Sequence, residues 1–167
     1  PVAEPCQAEL PQAERRAAGA RHLLVVHSAG SLAVLERLRP AGFRFTLMRK
    51  RPTEQDRAGF DRIVDHDYQT GVDATLARID RMHASDPFHG VVSFSESGVI
   101  MAAIAAGHLG LPGNPAPAAL RARDKYLMRQ ALRDAGLPSP PFCLVRTAAE
   151  VARRLRQQRQ PMVLKPI

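Results

Sequence analysis

Short apolar runs alternate with longer stretches in which apolar residues recur every three or four positions, over most of the first 120 residues. The short runs predict β-strands, because a strand buried on both faces of a parallel sheet is almost continuously apolar. The longer stretches predict helices with one apolar face. The predicted strands are residues 22–27, 43–48, 62–64 and 90–94. The predicted helices are residues 32–38, 71–83 and 95–109, and the charged residues 49–57 are predicted to form a loop.

Strands that alternate with helices in this way predict an α/β domain with a parallel, Rossmann-like sheet. Such sheets bind ligands beyond the carboxyl ends of their strands. Two predicted loops lie there, and the candidate substrate residues are Ser28 and Gly30 in the first loop and Glu96 in the second. Glu96 has an equally good alternative role, as a carboxylate that favours the dipole in the first turn of a helix. The first loop lacks the glycines of a dinucleotide fingerprint, and the sequence contains no P-loop.

Residues 121–167 show a second pattern, with the order helix, proline-rich turn, strand, helix, strand. The first helix opens on Asp124 and Lys125, and its apolar residues predict one buried face. Gly136 suits a left-handed cap that ends this helix, and Thr147 with Glu150 predicts a capped start for the next one. The two predicted strands are residues 142–145 and 162–164, and the second runs into Lys165.

This second pattern resembles the start of the ATP-grasp fold, the nucleotide-binding unit of many carboxylate-amine ligases and of biotin carboxylase. The resemblance rests on a helix that opens Asp-Lys, the turn Ala-Gly-Leu-Pro-Ser-Pro, and a strand that ends Val-Leu-Lys-Pro. It covers the last third of the chain closely and residues 21–118 more loosely. It implies a Rossmann-like pre-ATP-grasp domain over residues 21–118 and the first elements of an α+β ATP-grasp subdomain over residues 119–167. The composition of residues 1–20 separately predicts a flexible tail, with a frayed helix as the alternative.

By this resemblance, Lys125 and Lys165 bind the phosphates of ATP. The chemistry agrees, because an ammonium group at the end of a rigid element is a good point charge for a phosphate. The alternative for any lysine is a solvated surface charge. The chain has only one other lysine, Lys50, which we assign to that alternative because it lies in the basic sequence Arg-Lys-Arg.

The resemblance also implies the reaction. The parent protein is expected to activate a carboxylate, of an amino acid by preference, as an acylphosphate that an amine then attacks. ATP and Mg²⁺ are the expected cofactors, with a small carboxylate and an amine as substrates. The glycine-rich loop and the metal-binding carboxylates of the family are expected beyond Ile167, so we expect the 167 residues to contain no catalytic residue and to be inactive alone. A biotin-carboxylase-like enzyme is the rival interpretation.

Composition excludes several other classes of protein. No apolar run approaches the ~20 residues of a transmembrane helix, and the first residues do not resemble a secretory signal. Cys6 and Cys143 are the only cysteines, which favours a reduced cytoplasmic protein without a disulfide. The six histidines do not form a pair at metal-ligand spacing, so no metal site is predicted within the sequence.

Positive charge is concentrated at one end of the chain. The net charge is +8; residues 121–167 contain eleven Lys and Arg against three acids, and the first 120 residues contain thirteen of each. Nucleic acid, a membrane surface and a small polyanion would all suit such a segment. The basic helix carries no interleaved aromatic residues and no known motif, which argues against nucleic acid. A non-catalytic binding module with a basic extension therefore stays open, as does a homodimer.

Overall fold

The computed structural model describes residues 20–27, 32–157 and 161–165. The chain divides into two compact units, Pro1–Ala116 and Pro117–Ile167. The first unit contains the sheet and most of the buried core. The second contains helices and extended segments, and each unit is described separately below.

A four-stranded, wholly parallel sheet organises the first unit. Its strands are β1 (Arg21–Val26), β2 (Phe43–Arg49), β3 (Arg62–Asp65) and β4 (Gly90–Val92), in the order β3-β2-β1-β4. The register places Leu24 opposite Thr46 on one side and opposite Val91 on the other. Because β1 is a central strand, the continuous apolar sequence of its second half is explained, and the predicted α/β class with a Rossmann-like sheet is confirmed.

Four helices connect or follow these strands. They are α1 (Leu32–Leu38), α2 (Glu54–Gly59), α3 (Val72–Ser85) and α4 (Val99–His108); a 3₁₀ turn, Arg39–Ala41, separates α1 from β2. The core has two parts, as the alternation of side chains along a strand requires. Leu24 and Val26 belong to the cluster that includes Ile79 of α3 and several alanines of α4. Val25 belongs to the other cluster, with Leu35 of α1.

Helix α2 corrects the prediction of a loop over residues 49–57. Its start is fixed by a capping box, in which Thr53 accepts a hydrogen bond from the Asp56 backbone and Asp56 accepts one from the Thr53 backbone. Asp56 is also buried and forms an ion pair with Arg49 at 2.9 Å. The helix carries no apolar stripe, so its periodicity could not predict it; capping and one ion pair define it instead.

The second unit contains helices α6 (Lys125–Asp134) and α7 (Ala148–Gln157), preceded by α5 (Ala116–Arg123), which begins at the last residue of the first unit. Asp124 caps α6, Gly136 ends it in the left-handed region with φ of +68°, and Thr147 with Glu150 caps α7, all as predicted. The face of α6 that was predicted to be buried is only partly covered. Helix α5 was not predicted.

The two strands predicted in this unit are a correction. Residues 142–145 and 162–164 are extended but belong to no sheet in the described part of the chain. Apolar runs favour an extended backbone, but a strand exists only where a neighbour completes its hydrogen bonds. Val163 is 81% exposed and Leu164 is 70% exposed.

None of the described helices combines the length and apolar character that a bilayer crossing requires.

Candidate functional site

A glycine allows the segment that follows β4 to pack against the carboxyl end of β1. Gly98 lies directly before α4, and a β-carbon added there would be 2.4 Å from the backbone oxygen of Val26 and 2.5 Å from Oγ of Ser93. Only a residue without a side chain allows this approach. The segment that follows β4 therefore lies against the end of β1, at the edge of the sheet where parallel α/β sheets bind ligands.

Glu96 lies in this segment, in the turn that precedes α4, and it is exposed. The helix begins only at Val99, so the alternative role for Glu96, a carboxylate within the first helical turn, is wrong. The serines beside it are engaged with one another: Ser95 Oγ and Ser97 Oγ are 2.9 Å apart, and Ser93 Oγ donates to the Ser95 carbonyl. Two other predicted substrate residues, Ser28 and Gly30, lie outside the described residues.

His27 and Tyr68 form an aromatic pair at the same edge. His27 directly follows β1 with φ of +56°, donates its backbone N–H to the Met48 carbonyl, and meets the Tyr68 ring edge-on at 6.1 Å. Burial, followed by the positive charge of Arg49, lowers the pKa of His27, so the ring is neutral at pH 7. Tyr68 is 6% exposed, and its hydroxyl has no hydrogen-bond partner among the residues described.

Replacing Tyr68 with phenylalanine is expected to raise the free energy of unfolding by about 0.5–1 kcal/mol in the absence of ligand. The substitution removes a buried hydroxyl that makes no compensating hydrogen bond and keeps the ring. Urea unfolding of Tyr68→Phe beside the natural protein measures this. Tyr126→Phe, which removes the hydroxyl that accepts from Gln130 at 3.3 Å, is the control and should not stabilise. A loss of more than 1 kcal/mol for Tyr68→Phe would contradict the prediction.

The neighbouring strand ends carry charge that is already paired. Arg49 contacts Asp56, and Lys50 at the end of β2 contacts Asp67 at 2.6 Å, so the assignment of Lys50 to a surface role agrees with the structure. His66 Nε2 lies 2.9 Å from Thr75 Oγ1, which itself donates to the Gly71 carbonyl. The threonine hydroxyl has one proton, so His66 must be the donor and carries its proton on Nε2.

Sequence reasoning did not find Tyr68, Arg49 or Asp56 as neighbours of His27. Arg49 ends β2, Asp56 lies in the first turn of α2, and Tyr68 lies in the turn after β3. The sequence signal that could have indicated them is their position just after predicted strands of one parallel sheet, since such positions meet at a single edge.

A row of three side chains resembles a nucleophile, base and acid, but the nucleophile and the base are buried. Thr46 Oγ1 is 2.7 Å from His22 Nε2, and Asp86 Oδ2 is 3.3 Å from His22 Nδ1, outside hydrogen-bond geometry. Thr46 is 0% exposed and His22 is 1% exposed, so no substrate reaches either. Burial is the main cause that lowers the pKa of His22. The row is part of the packing of β1 against β2.

Lys125 is held at the start of α6. The Asp124 side chain accepts hydrogen bonds from the backbone N–H groups of Tyr126 and Leu127, at 2.8 and 2.9 Å, which fixes the first helical turn. The Tyr126 ring meets the Phe142 ring edge-on at 5.7 Å, and the Arg133 guanidinium lies over the same phenylalanine. Lys125 Nζ donates to the Ala122 carbonyl at 3.2 Å, an exposed contact that an anion can displace.

Lys165 follows a segment that contacts α7. Leu164 lines an apolar groove of about 480 Å³, together with Val145, Val151 and Leu155. The lysine itself is exposed and lies at the end of an extended stretch that is not part of a strand. The groove therefore connects the segment that carries Lys165 to the helix that Thr147 and Glu150 cap.

Metal ligands are not grouped in the part of the chain that the structure describes: no three or more His, Cys, Asp or Glu side chains lie close enough there to hold an ion. Among the described residues, the groups suited to a nucleotide are thus cationic. Both predicted phosphate-binding lysines lie in the second unit, Lys125 at a capped helix start and Lys165 on an exposed extended segment.

Comparison with known proteins identifies part of the first unit. Residues 36–113 match the family of ATP-grasp N-terminal domains. No curated protein matches the sequence.

Solved structures extend the similarity to most of the chain. An L-amino acid ligase from Bacillus licheniformis has 22% identity and a TM-score of 0.68, with 78% of this chain and 34% of that chain covered. A phosphoribosylglycinamide synthetase from Anaerococcus prevotii has 17% identity and a TM-score of 0.62, with 84% and 35% covered. An N5-carboxyaminoimidazole synthetase from Staphylococcus aureus, complexed with ADP, has 11% identity and a TM-score of 0.63, with 83% and 35% covered. The chain spans about a third of the length of these proteins.

Proposed function

We propose that the chain is the amino-terminal part of an ATP-dependent carboxylate-amine ligase, because residues 36–113 match the family of ATP-grasp N-terminal domains and the chain has the fold found in ATP-grasp ligases. Residues 21–118 are the pre-ATP-grasp domain in this proposal, and residues 119–167 begin the ATP-grasp domain. The proposed acid is an amino acid. The resemblance inferred from the sequence is thus supported by the family match and by the fold.

The observation that carries the proposal is the way the second unit fixes Lys125. An N-cap with two hydrogen bonds sets the first turn of α6, and the ring contact of Tyr126 with Phe142 fixes the helix against the segment that follows it. The backbone of Lys125 is therefore fixed before a phosphate binds, and less backbone entropy is lost on binding. Lys165 is the proposed second contact, on the extended segment whose Leu164 lines the apolar groove beside α7.

ATP supplies the phosphoryl group in the proposed reaction. A carboxylate oxygen of the acid takes the γ-phosphoryl group and ADP leaves; the amine nitrogen then attacks the acyl carbon, loses a proton and displaces phosphate. The two lysines bind phosphate oxygens and neutralise part of their charge as it shifts toward the leaving group. Mg²⁺ is expected with ATP, and its ligands are expected outside the described residues.

The first unit would bind the carboxylate or the amine at the carboxyl edge of its sheet. Glu96 is exposed there and can pair with the ammonium group of an amino acid. The neutral ring of His27 adds a group that can donate one hydrogen bond and accept another. Ser28 and Gly30 remain candidates for the same role.

The test is the affinity of the chain for MgATP, measured by isothermal titration calorimetry. Lys125→Gln and Lys165→Gln are each expected to weaken binding about tenfold, because each removes one charge-assisted contact with phosphate. Lys50→Gln is the matched control, since it removes the third lysine of the chain, which is paired with Asp67, and should leave the affinity unchanged.

Activity is measured separately, as ADP release from MgATP with a panel of amino acids and amines. Equal affinity for MgATP in all three lysine variants would show that these lysines do not bind the nucleotide. If MgATP binds and the two lysine substitutions weaken its binding, the proposed site is supported. If no acid tested then gives ADP release, the predicted inactivity of these 167 residues is supported as well.

A further inference from the structure

A groove on the flank of the first unit is lined by three arginines. It has a volume of about 270 Å³ and lies between the first residues of β3 and the second half of α3. Arg62 comes from the strand, and Arg78 and Arg81 come from the helix; Ile63, Val64 and Met82 supply its apolar walls. The candidate substrate edge is built instead from segments that follow the strands, so this groove is a separate feature.

The three arginines have no carboxylate partner among the residues described. The ion pairs of the first unit that involve an arginine or lysine engage other residues, and they are Arg39–Asp61, Arg44–Asp86, Arg49–Asp56 and Lys50–Asp67. Each of those cations has an acid within ion-pair distance, whereas the three groove arginines form no such pair in the described residues. The pKa of Asp86 is lowered mainly by its hydrogen bonds with Arg44 and to a smaller extent by the charge of Arg62, so this acid lies near one of the three but is already paired. The three groove arginines repel one another unless an anion or solvent lies between them.

The helix places two of these charges on one face. Arg78 and Arg81 are three residues apart on α3, and like charges at such spacing destabilise a helix by a few tenths of a kcal/mol. Arg78 Nε is buried and has no hydrogen-bond partner within the described residues. A buried donor without a partner is costly and rare in folded proteins, and an oxygen atom of a bound anion would satisfy it.

The edge of the sheet adds a third observation. In the order β3-β2-β1-β4, β3 is an edge strand that pairs only with β2 in the described sheet. Its other side has backbone groups that no strand occupies. A groove bordered by such an edge and by guanidinium groups offers several N–H donors, and the described residues that line it include no acid.

From this arrangement we propose that the groove formed by Arg62, Arg78 and Arg81 binds a small anion with at least two ionised oxygen groups, a diphosphate or a di- or tricarboxylate. The groove has room for about nine water molecules at ~30 Å³ each, which suits a ligand of that size and excludes a nucleic acid duplex from its interior. The planar guanidinium fork pairs bidentately with phosphate and carboxylate alike. The bound anion would stabilise the first unit, because a ligand of the folded state alone raises its stability by mass action.

Inorganic pyrophosphate and citrate are the probes, titrated separately into the 167-residue chain at 0.15 M salt by calorimetry. Arg62→Gln, Arg78→Gln and Arg81→Gln are each expected to weaken the bound anion about tenfold. Arg37→Gln, which removes an exposed arginine from α1, controls for net charge and should change the affinity less than twofold. The two probes distinguish the sources: binding of pyrophosphate alone indicates a phosphate ligand, and binding of citrate alone indicates a carboxylate ligand.

The proposed nucleotide site must be kept apart from this groove. The double variant Lys125→Gln/Lys165→Gln is expected to retain the groove affinity, because both lysines lie in the other unit. The arginine Nε–H resonances of ¹⁵N-labelled protein give a local readout, and the Arg78 Nε–H signal is expected to shift on saturation. If Arg78→Gln does not fold, Arg62→Gln and Arg81→Gln still test whether the groove binds the anion.

Three results would overturn the proposal. They are no binding of either probe, equal weakening by Arg37→Gln and by the groove variants, and loss of all pyrophosphate binding in the double lysine variant. In the last case, the ammonium groups of the second unit would account for the anion affinity. Failure of the nucleotide site leaves the groove prediction unaffected, because the two sets of variants are scored independently.

Discussion

Replacing Gly98 with alanine is expected to lower the free energy of unfolding by about 2–4 kcal/mol, the range of forced overpacking in a rigid interior. The backbone of Gly98 has φ of −96°, which alanine adopts readily, so conformational preference is not the cause. The cause is the added β-carbon, which would lie 2.4 Å from the Val26 carbonyl oxygen. That oxygen belongs to a central strand and cannot move without disturbing the sheet.

Gly107→Ala is the matched control in the same helix. A β-carbon at Gly107 meets no atom within 4 Å, so this substitution is expected to raise stability by about 0.5–1 kcal/mol through helix propensity. Both variants are measured by urea unfolding. Similar free energies for the two variants would show that the end of β1 and the turn before α4 are not in contact, and the arrangement of the candidate substrate edge would be wrong.

Asp86→Asn is expected to lower the free energy of unfolding by about 2 kcal/mol at pH 7, the cost of removing one partner from a charged hydrogen-bonded pair. Both guanidinium nitrogens of Arg44 donate to the Asp86 carboxylate, one of them at 2.7 Å. These hydrogen bonds lower the pKa of Asp86 to about 2, against an ordinary value of 3.8. The side chain is 30% exposed, so solvent screening reduces the contribution below that of a buried pair.

The pH dependence has a definite sign. Because the folded pKa of Asp86 is lowered, its stabilisation is complete above the unfolded pKa of 3.8 and is lost as the pH falls toward about 2. The difference between natural protein and Asp86→Asn should therefore shrink below pH 4. His22, His27 and His66 also have lowered pKa values, mainly through burial, so both proteins lose stability below pH 6.5.

Asp80→Asn serves as the control for the pair formed by Asp86 and Arg44. Asp80 contacts His108 at 2.8 Å, but both side chains are well exposed, and exposed pairs contribute 0–1 kcal/mol. Urea unfolding at pH 7, 5, 4 and 3 separates the two cases. A difference between natural protein and Asp86→Asn that stays constant over this range would contradict an origin in the ionised carboxylate.

The sheet could be predicted because its strands are buried on both faces. β1 has a continuous apolar run, β2 alternates apolar and polar residues in its first half, and both predicted ranges agree with the observed ones to within one residue at each end. The end of β4 was predicted two residues too late, and α4 begins four residues later than predicted. The turn between them depends on the contact of Gly98 with Val26, a distance that no local pattern encodes.

In the second unit, the sequence was sufficient to predict the helix caps but not the strands. Its caps were predictable, since Asp124 and the pair Thr147 and Glu150 act on their own helices. Its strands were not, because residues 142–145 and 162–164 satisfy the local requirement for an extended backbone while pairing depends on residues far away in sequence. Among candidate site residues, Lys125 and Glu96 could be placed from local signals, whereas the contact of His27 with Tyr68 required the folded sheet.

The positive charge of helix α7 is expected to affect the rate at which the second unit binds anions. Its exposed arginines Arg153, Arg154 and Arg156 project into solvent, in a segment with eleven Lys and Arg against three acids. A concentrated positive potential attracts diffusing anions over about a Debye length, roughly 8 Å in physiological salt. Capture of a polyanion by the second unit should then slow as ionic strength rises, even where the complex, once formed, dissociates at an unchanged rate.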